Sequence, residues 1–315
     1  MYRLEKGTCV TREFDTAITD EEGRMNAPNA RHTALRSSKF PIVERVFLTY
    51  ASSGCGIGCS YCYIDHPSSP PVYYPDEHYR LQIEQLEATD RVIVAALAPD
   101  TDPFVTPESI ERSLFYLRAC ESSGAAVQLS TKCRIPPDVR VLLDNWSGKL
   151  RPIIFTSMTS FDLHDRLEPG APHPEERAKN FGEHAPSWVS AALVKPLLSI
   201  SSCDQRRLVD LLLATKPEAV VVGARYRKVE SVGATQLRPH PFASDWSGSA
   251  PTDAAIAFAR RLESEGIPLF RNTECVVDYF NDCGIAQTIY TQYHDLCTNC
   301  GLCPERELLD HEGNP

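Results

Sequence analysis

A parallel α/β architecture, either a barrel or an open sheet, is what the sequence predicts, and three observations carry the prediction. Apolar runs such as RVIVAAL (91–97), AAVQLST (125–131) and EAVVVGARY (218–226) are continuous rather than alternating, as in strands of a parallel sheet whose two faces are both covered. Stretches of helical periodicity separate them. The chain has 315 residues, 42% hydrophobic and 23% charged, enough to bury a core and within the length over which α/β barrels form one domain.

The elements follow in order. Residues 1–40 are polar and read as an extended arm, after which PIVERVFLTY supplies a first strand at Val46 to Tyr50. A Gly/Ser/Cys-rich loop follows, and then a strand over 91–97. The stretch 107–124 opens on Pro, has an acidic first turn and ends on Gly, which predicts a helix. Strand 125–131, helix 136–146 and strand 150–158 continue the alternation. Residues 159–188 read as loop around a helix at 174–181; strand 192–200, helix 203–217 and strand 218–226 come next. A helix over 251–265, stopped by Gly266, and the strand IPLFR close the regular part. From Asn272 onward the chain reads as Cys-rich and irregular. The expected organisation is an arm (1–40), a main α/β unit (41–270) and a small extension (271–315).

Charge and cysteine usage narrow the function. With 32 Lys+Arg against 42 Asp+Glu the net charge is −10, which disfavours duplex DNA as a ligand because no chain-wide basic field exists. No run approaches the roughly 20 apolar residues of a membrane span and no apolar leader follows the first basic residues, so a cytosolic protein is expected. Twelve cysteines in a reducing compartment are not a disulfide framework. Three fall within 55–62 and three within 297–303, a clustering that points to metal.

Cys55-Gly-Ile-Gly-Cys59-Ser-Tyr-Cys62 has C-x3-C-x2-C spacing directly after the first strand. Three thiolates on one glycine-bearing loop suit a [4Fe-4S] cluster with one iron left open. A structural zinc loop is the alternative, and it needs a fourth ligand such as His66. The spacing, Tyr61 before the third cysteine and the βα repeats resemble the radical S-adenosylmethionine (SAM) superfamily over about residues 41–270. Thr101-Asp102-Pro103, Ser130-Thr131-Lys132 and Leu167-Glu168-Pro169-Gly170-Ala171-Pro172 with Glu176-Arg177 resemble its spore photoproduct lyase-like branch. The resemblance implies a partial (β/α)6 TIM-like barrel with a Cys-rich C-terminal extension. It also implies reductive cleavage of SAM at the cluster held by Cys55, Cys59 and Cys62, giving a 5′-deoxyadenosyl radical that abstracts a substrate hydrogen.

By the same resemblance Thr101 and Ser157 hydrogen-bond SAM, Lys132 pairs with its carboxylate and Tyr61 lies by the adenine, with Asp102 and Lys195 as further cofactor-binding candidates. Read singly, Thr101-Asp102-Pro103 is also a turn, Lys132 a solvated loop lysine and Glu168 a capping or salt-bridge residue. Lesion-repair members of the branch carry a hydrogen-donating cysteine two residues before the position of Thr101; here it is Pro99. Cys120, Cys133 and Cys203 read as small buried hydrophobes, with Cys133 the one beside the site. His164, His173, His184 and His294 read as surface or loop residues.

Cys297-Thr-Asn-Cys300-Gly-Leu-Cys303-Pro304 is close to a ferredoxin run but lacks its last cysteine. Cys283, or else Cys275, would complete a second [4Fe-4S] cluster; a four-cysteine zinc knuckle is the alternative. The expected partners are a small-molecule, nucleoside or peptide substrate and a reductant such as flavodoxin or ferredoxin. Nucleic-acid lesion repair by the same chemistry, and a non-catalytic iron-sulfur or zinc protein, are the competing readings.

Overall fold

The computed structural model describes residues 42–43, 46–49, 52–62, 69–87, 94–98, 101–195, 197, 202–223, 226–231, 234–239, 246–247, 250–251, 253–270 and 272–285. The arm expected over 1–40 and the run Cys297, Cys300, Cys303 lie outside the described residues.

The main sheet begins with β1 (Ile42–Val43) and β2 (Val46–Thr49). It continues through β5 (Val94–Leu97), β6 (Ala126–Thr131), β7 (Ile153–Ser157), β8 (Val189–Val194), β9 (Ala219–Val222) and β14 (Leu269–Phe270). Its order is β1-β2-β5-β6-β7-β8-β9-β14. From β2 to β14 every neighbour pairs parallel, and β1 folds back antiparallel on β2. Strand order that follows chain order is the topology of a partial TIM-like barrel, with helices as crossovers. The expected α/β fold is found.

The crossovers are α1 (Asp76–Glu87), α2 (Pro107–Ser123), α3 (Pro137–Asp144), the short α4 (His164–Leu167) and α5 (Pro174–Ala178), α6 (Ser202–Thr215) and α7 (Asp253–Glu263). Local chemistry starts and stops α2. The Thr106 hydroxyl accepts from Ser109 N, the Ser109 hydroxyl accepts from Thr106 N, Pro107 occupies the first turn, and Gly124 ends the helix at φ 74°. These devices satisfy backbone groups that the helix itself leaves unpaired.

Strand alternation divides the core. Ala95, Leu97, Val127, Leu129 and Ile154 pack outward with Leu117, Val139 and Leu143 of the helices. Val94, Ala96, Ala126, Ile153, Phe155, Ala191 and Val221 share a second cluster, the barrel interior. Because period-2 alternation sends neighbouring residues to opposite faces, a continuous apolar run is what both clusters require.

Four boundaries differ from the sequence expectation. The strand expected at 192–200 is Val189–Val194, because 189–194 is the stretch that pairs with both β7 and β9. The loop 159–188 carries an additional helical turn, α4, and α5 ends at Ala178. An antiparallel hairpin of β10 (Tyr226–Ser231) and β11 (Ala234–Pro239) follows β9. Two-residue pairs β3 (Ser52–Ser53) with β4 (Val72–Tyr73), and β12 (Trp246–Ser247) with β13 (Ala250–Pro251), complete the described strands.

The fourth difference is α8 (Thr273–Asn281), where irregular chain is expected. Its Cys275, Val276 and Val277 are buried with the interior residues of the strands. Asn281 holds the chain just before β7 as a strand would: its Oδ1 accepts from Arg151 N at 2.7 Å and its Nδ2 donates to Arg151 O at 3.1 Å. Arg151 precedes β7, so α8 closes the barrel at the N-terminal ends of its strands. Asp282 ends the helix at φ 48°, and Asp278 accepts from Cys283 N and Gly284 N.

Leu143 is fully buried between α3 and the sheet, so Leu143→Ala is expected to cost about 2–5 kcal/mol. Denaturant titration of the purified chain reads this directly, and a loss below about 1 kcal/mol would place Leu143 outside the tightly packed core.

Candidate functional site

Every residue singled out for cofactor chemistry in the main unit lies at or past the C-terminal end of a parallel strand. The cysteine loop follows β2, Thr101 and Asp102 follow β5, Lys132 follows β6, Ser157 ends β7 and Lys195 follows β8. Binding residues of parallel barrels gather at this face because the loops there converge on the barrel axis.

The cysteine loop is held from both sides. Before it, Ser52–Ser53 pairs with Val72–Tyr73, and Cys55 N donates to Ser69 O at 3.2 Å. Gly54 has φ +79°, and a Cβ there would stand 2.9 Å from Pro70 O, so glycine is needed both for the backbone angle and for the close approach. Thr101 Oγ1 donates to Gly54 O at 2.8 Å. On the other side Ser60 N donates to Leu167 O and Gly170 N to Ile57 O, both at 2.9 Å. A Cβ on Gly170 would sit 2.7 Å from Ile57 O and 2.8 Å from Ile57 Cα, so the Glu168-Pro-Gly170 segment lies directly against the loop backbone.

The three thiols share one cluster with Ile57, Tyr61 and Ala171, and Cys133 and Leu167 pack against it. Burial pushes the Cys55 thiol up and the Cys59 thiol up to about 12. The donor set fits an iron-sulfur cluster: soft sulfur ligands on one loop, screened from water on the barrel side. Cys55, Cys59 and Cys62 would hold it and would lose their protons on binding. Among the described residues no group of three or more His, Cys, Asp or Glu side chains is gathered to hold a single metal ion. His66 lies outside the described residues.

Beside the thiols stands a buried polar network centred on Glu168. Its carboxylate is 0% exposed, as is Arg177. Oε1 accepts from the Tyr61 hydroxyl and faces Lys132 Nζ at 3.8 Å. Oε2 accepts from Arg177 Nη2 and from Thr159 Oγ1 at 2.9 Å. Arg177 also donates to Pro172 O at 2.6 Å and to Ser157 O at 2.8 Å. His164 Nδ1 lies 3.1 Å from Arg177 Nη2 and 3.9 Å from Glu168 Oε2.

Burial by itself would raise the Glu168 pKa; the His164 ring, the Lys132 ammonium and the Arg177 guanidinium outweigh it and hold the carboxyl well below the usual carboxylate range. Burial, with the Glu168 charge, raises the Tyr61 phenol well above its ordinary value. Lys132 is 19% exposed. Burial disfavours its charge, but Cys59 and Glu168 more than compensate and its pKa is raised. Its ammonium donates to Ser157 Oγ at 3.1 Å and lies 5.6 Å from the centre of the Tyr61 ring.

One expectation changes, that for His164, and Asp102 has structural partners of its own. The Asp102 carboxylate is buried and turned inward, accepting from Phe104 N at 3.0 Å, Thr131 Oγ1 at 2.9 Å and Lys132 N at 2.6 Å. It shapes the turn that presents Lys132, two donors meeting Oδ1 and one meeting Oδ2. His164 is buried within the Glu168 network rather than on the surface. Lys195 is half-buried, its methylenes passing within 3.0–3.1 Å of where a Gly223 Cβ would be. Cys120 is fully buried in the outer core, as expected of a small hydrophobe.

At the opposite end of the barrel, Cys275 is 6% exposed among interior apolar side chains. Cys283 is half-buried just beyond α8, its thiol pushed up to about 11 by burial and Asp278.

No family model matches the chain and no curated protein matches it. Solved structures do. Spore photoproduct lyase complexed with dinucleoside spore photoproduct superposes with a TM-score of 0.56 at 11% identity, covering 80% of this chain and 87% of that one. A doubly substituted variant of that lyase, with bound AdoMet and dinucleoside spore photoproduct, gives 0.55 at 11% identity over 75% and 79%. This chain has the fold of spore photoproduct lyase. Streptococcus suis SuiB bound to precursor peptide SuiA gives 0.52 at 12% identity and covers 88% of this chain, which spans only 60% of SuiB. Among the described residues no helix is long and apolar enough to cross a membrane.

Two predictions test the site. Gly170→Ala forces backbone apart from Ile57 and is expected to lower stability by about 1–3 kcal/mol and reduce iron retained per chain; unchanged iron content would remove the 167–170 segment from the site. The second concerns acid. A group whose folded pKa is depressed contributes stability above its unfolded value, about 4.3 for Glu, and loses it as pH falls below that value. Cluster-free wild type should therefore lose stability more steeply than Glu168→Gln between about pH 5 and about pH 3. Parallel acid profiles would show that Glu168 is not the titrating group.

Proposed function

We propose that this protein is a radical SAM enzyme in which Cys55, Cys59 and Cys62 hold a [4Fe-4S] cluster at the mouth of the barrel. The observation that carries the reading is the C-x3-C-x2-C loop packed beside a half-buried, ion-paired lysine at the C-terminal face of a parallel barrel. When bound, the cluster supplies one electron to the SAM sulfonium, yielding methionine and a 5′-deoxyadenosyl radical that abstracts a substrate hydrogen. Lys132 is the residue for the SAM carboxylate, a compact cation already placed between Ser157 and the cysteine loop. Ser157 orients its ammonium, Asp102 fixes its backbone, and the Tyr61 ring offers an apolar face for the adenine. Thr101 secures the loop at Gly54, and Lys195 is a further cation for an anionic group at the mouth. The apolar barrel interior below keeps water away from the reacting atoms.

Hydrogen abstraction from a small metabolite, nucleoside or peptide, of a natural-product tailoring kind, is the activity that this reading favours. A peptide substrate draws support from the peptide-bound SuiB structure, to which this chain is similar in fold. The net charge of −10 and Pro99 at the place of the repair enzymes' cysteine weigh against lesion repair, since proline has no thiol hydrogen to return. A non-catalytic metal or electron-transfer protein would leave the Lys132, Ser157 and Tyr61 arrangement without a purpose. Cys297, Cys300 and Cys303 are proposed to hold a second [4Fe-4S] cluster with Cys283 in preference to Cys275, because Cys283 stands clear of the helix while Cys275 is packed inside the barrel. Supply of electrons by a flavodoxin or ferredoxin and a cytosolic location belong to the same proposal.

Anaerobically reconstituted protein given dithionite and SAM is expected to release 5′-deoxyadenosine and methionine, and Cys59→Ala to release neither. Cleavage retained in Cys59→Ala, or absent from wild type with full iron, would overturn the assignment. Cys300→Ala is expected to keep SAM cleavage while losing product from the true substrate; loss of cleavage as well would make the second cluster a structural requirement.

A further inference from the structure

We propose that Glu168 and Arg177 form a positioning clamp that sets where the cysteine loop stands relative to Lys132, acting through the Tyr61 hydroxyl. The ligand in this inference rests on the radical SAM reading; the clamp rests on the chain's own contacts. An aromatic ring at position 61 could be packed by phenylalanine as well as by tyrosine, so packing leaves the hydroxyl unexplained. A buried hydroxyl needs a partner, and here the partner is a carboxylate with no water contact of its own.

That carboxylate is fixed by a rigid anchor. Arg177 is knotted to the end of β7 through Ser157 O and to the following loop through Pro172 O. The positions of β7, Arg177, Glu168, Tyr61 and the cysteine loop are therefore linked in series. Bonds from Leu167 O to Ser60 N and from Gly170 N to Ile57 O flank the same link, so residues 167–170 grip the loop by backbone and side chain together. The charges also fit the purpose. Glu168 stands between two cations; Arg177 is sealed inside, and Lys132 is the cation with exposure toward the mouth. Moving Glu168 would displace the loop and remove the ion pair at Lys132 together.

The test uses reconstituted full-length protein and its cluster-free form, in wild type, Tyr61→Phe, Glu168→Gln and the double variant. Binding of SAM is read from its perturbation of the electron paramagnetic resonance signal of the reduced cluster, and loop order from hydrogen exchange at the Ser60 and Ile57 region without cluster. Each single variant should weaken SAM binding by roughly 10–100-fold, the range for outer partners of a metal site. Each should also speed loop exchange, and the double variant should be no worse than Glu168→Gln alone. Leu143→Ala, destabilised to a similar melting temperature, should show neither change, which separates positioning from general loss of stability. Wild-type SAM affinity and exchange in Tyr61→Phe, or effects that add in the double variant, would overturn the clamp. A wild type that shows no SAM-sensitive cluster signal would instead refute the radical SAM reading, and the exchange comparison would still decide the clamp.

Discussion

Removing a carboxylate from water costs several kcal/mol unless charge and hydrogen bonds are returned to it, and the mouth of this barrel is arranged around meeting that requirement at Glu168. The solution draws on four parts of the chain: Tyr61 from the cysteine loop, Lys132 after β6, Thr159 after β7 and Arg177 from α5. Breaking such a buried pair by removing one partner typically costs about 3–5 kcal/mol, so the four segments are held in one mutual geometry. The interaction is as much about specificity of arrangement as about stability.

The rest of the site inherits that rigidity. Asp102 turns its carboxylate on the backbone at Lys132, so the cation presented to the mouth is held by its main chain as well as by Ser157. At the far end α8 fills the interior with Val276 and Val277 and ties itself to Arg151 through Asn281. The described barrel has an apolar plug at one end and an ion-paired polar rim at the other. This is the physical basis for the proposal that SAM and substrate meet on the side of Cys55, Cys59 and Cys62.

Much of the fold was legible because its signals are local. Pro107, the acidic turn and Gly124 bound α2 within a residue of expectation, and the buried strands announce themselves as apolar runs. The misses share a cause. Helix α8 reads as irregular because TECVVDYFN is short and mixes four polar residues with β-branched and aromatic ones; its helicity depends on burying Val276 and Val277 in a barrel that no local window contains. Strand β8 begins earlier than expected because pairing with β7 and β9, not hydrophobicity, decides where a strand starts. The β10–β11 hairpin has a signal that could have been used: two six-residue runs around Val232-Gly233.

By itself the amino-acid sequence determined the residue chemistry of the site: which loop carries thiols, where Lys132 and the hydroxyls fall after their strands, and that a parallel α/β frame supports them. Spacing along one chain is enough for that, because ligand loops and strand ends are contiguous. Only the tertiary structure decided what Glu168, Arg177, His164 and Asp102 do. Their partners lie up to 107 residues away, and whether a charged side chain faces water, a cofactor or another charge depends on burial, which is a property of the assembled barrel and not of any segment.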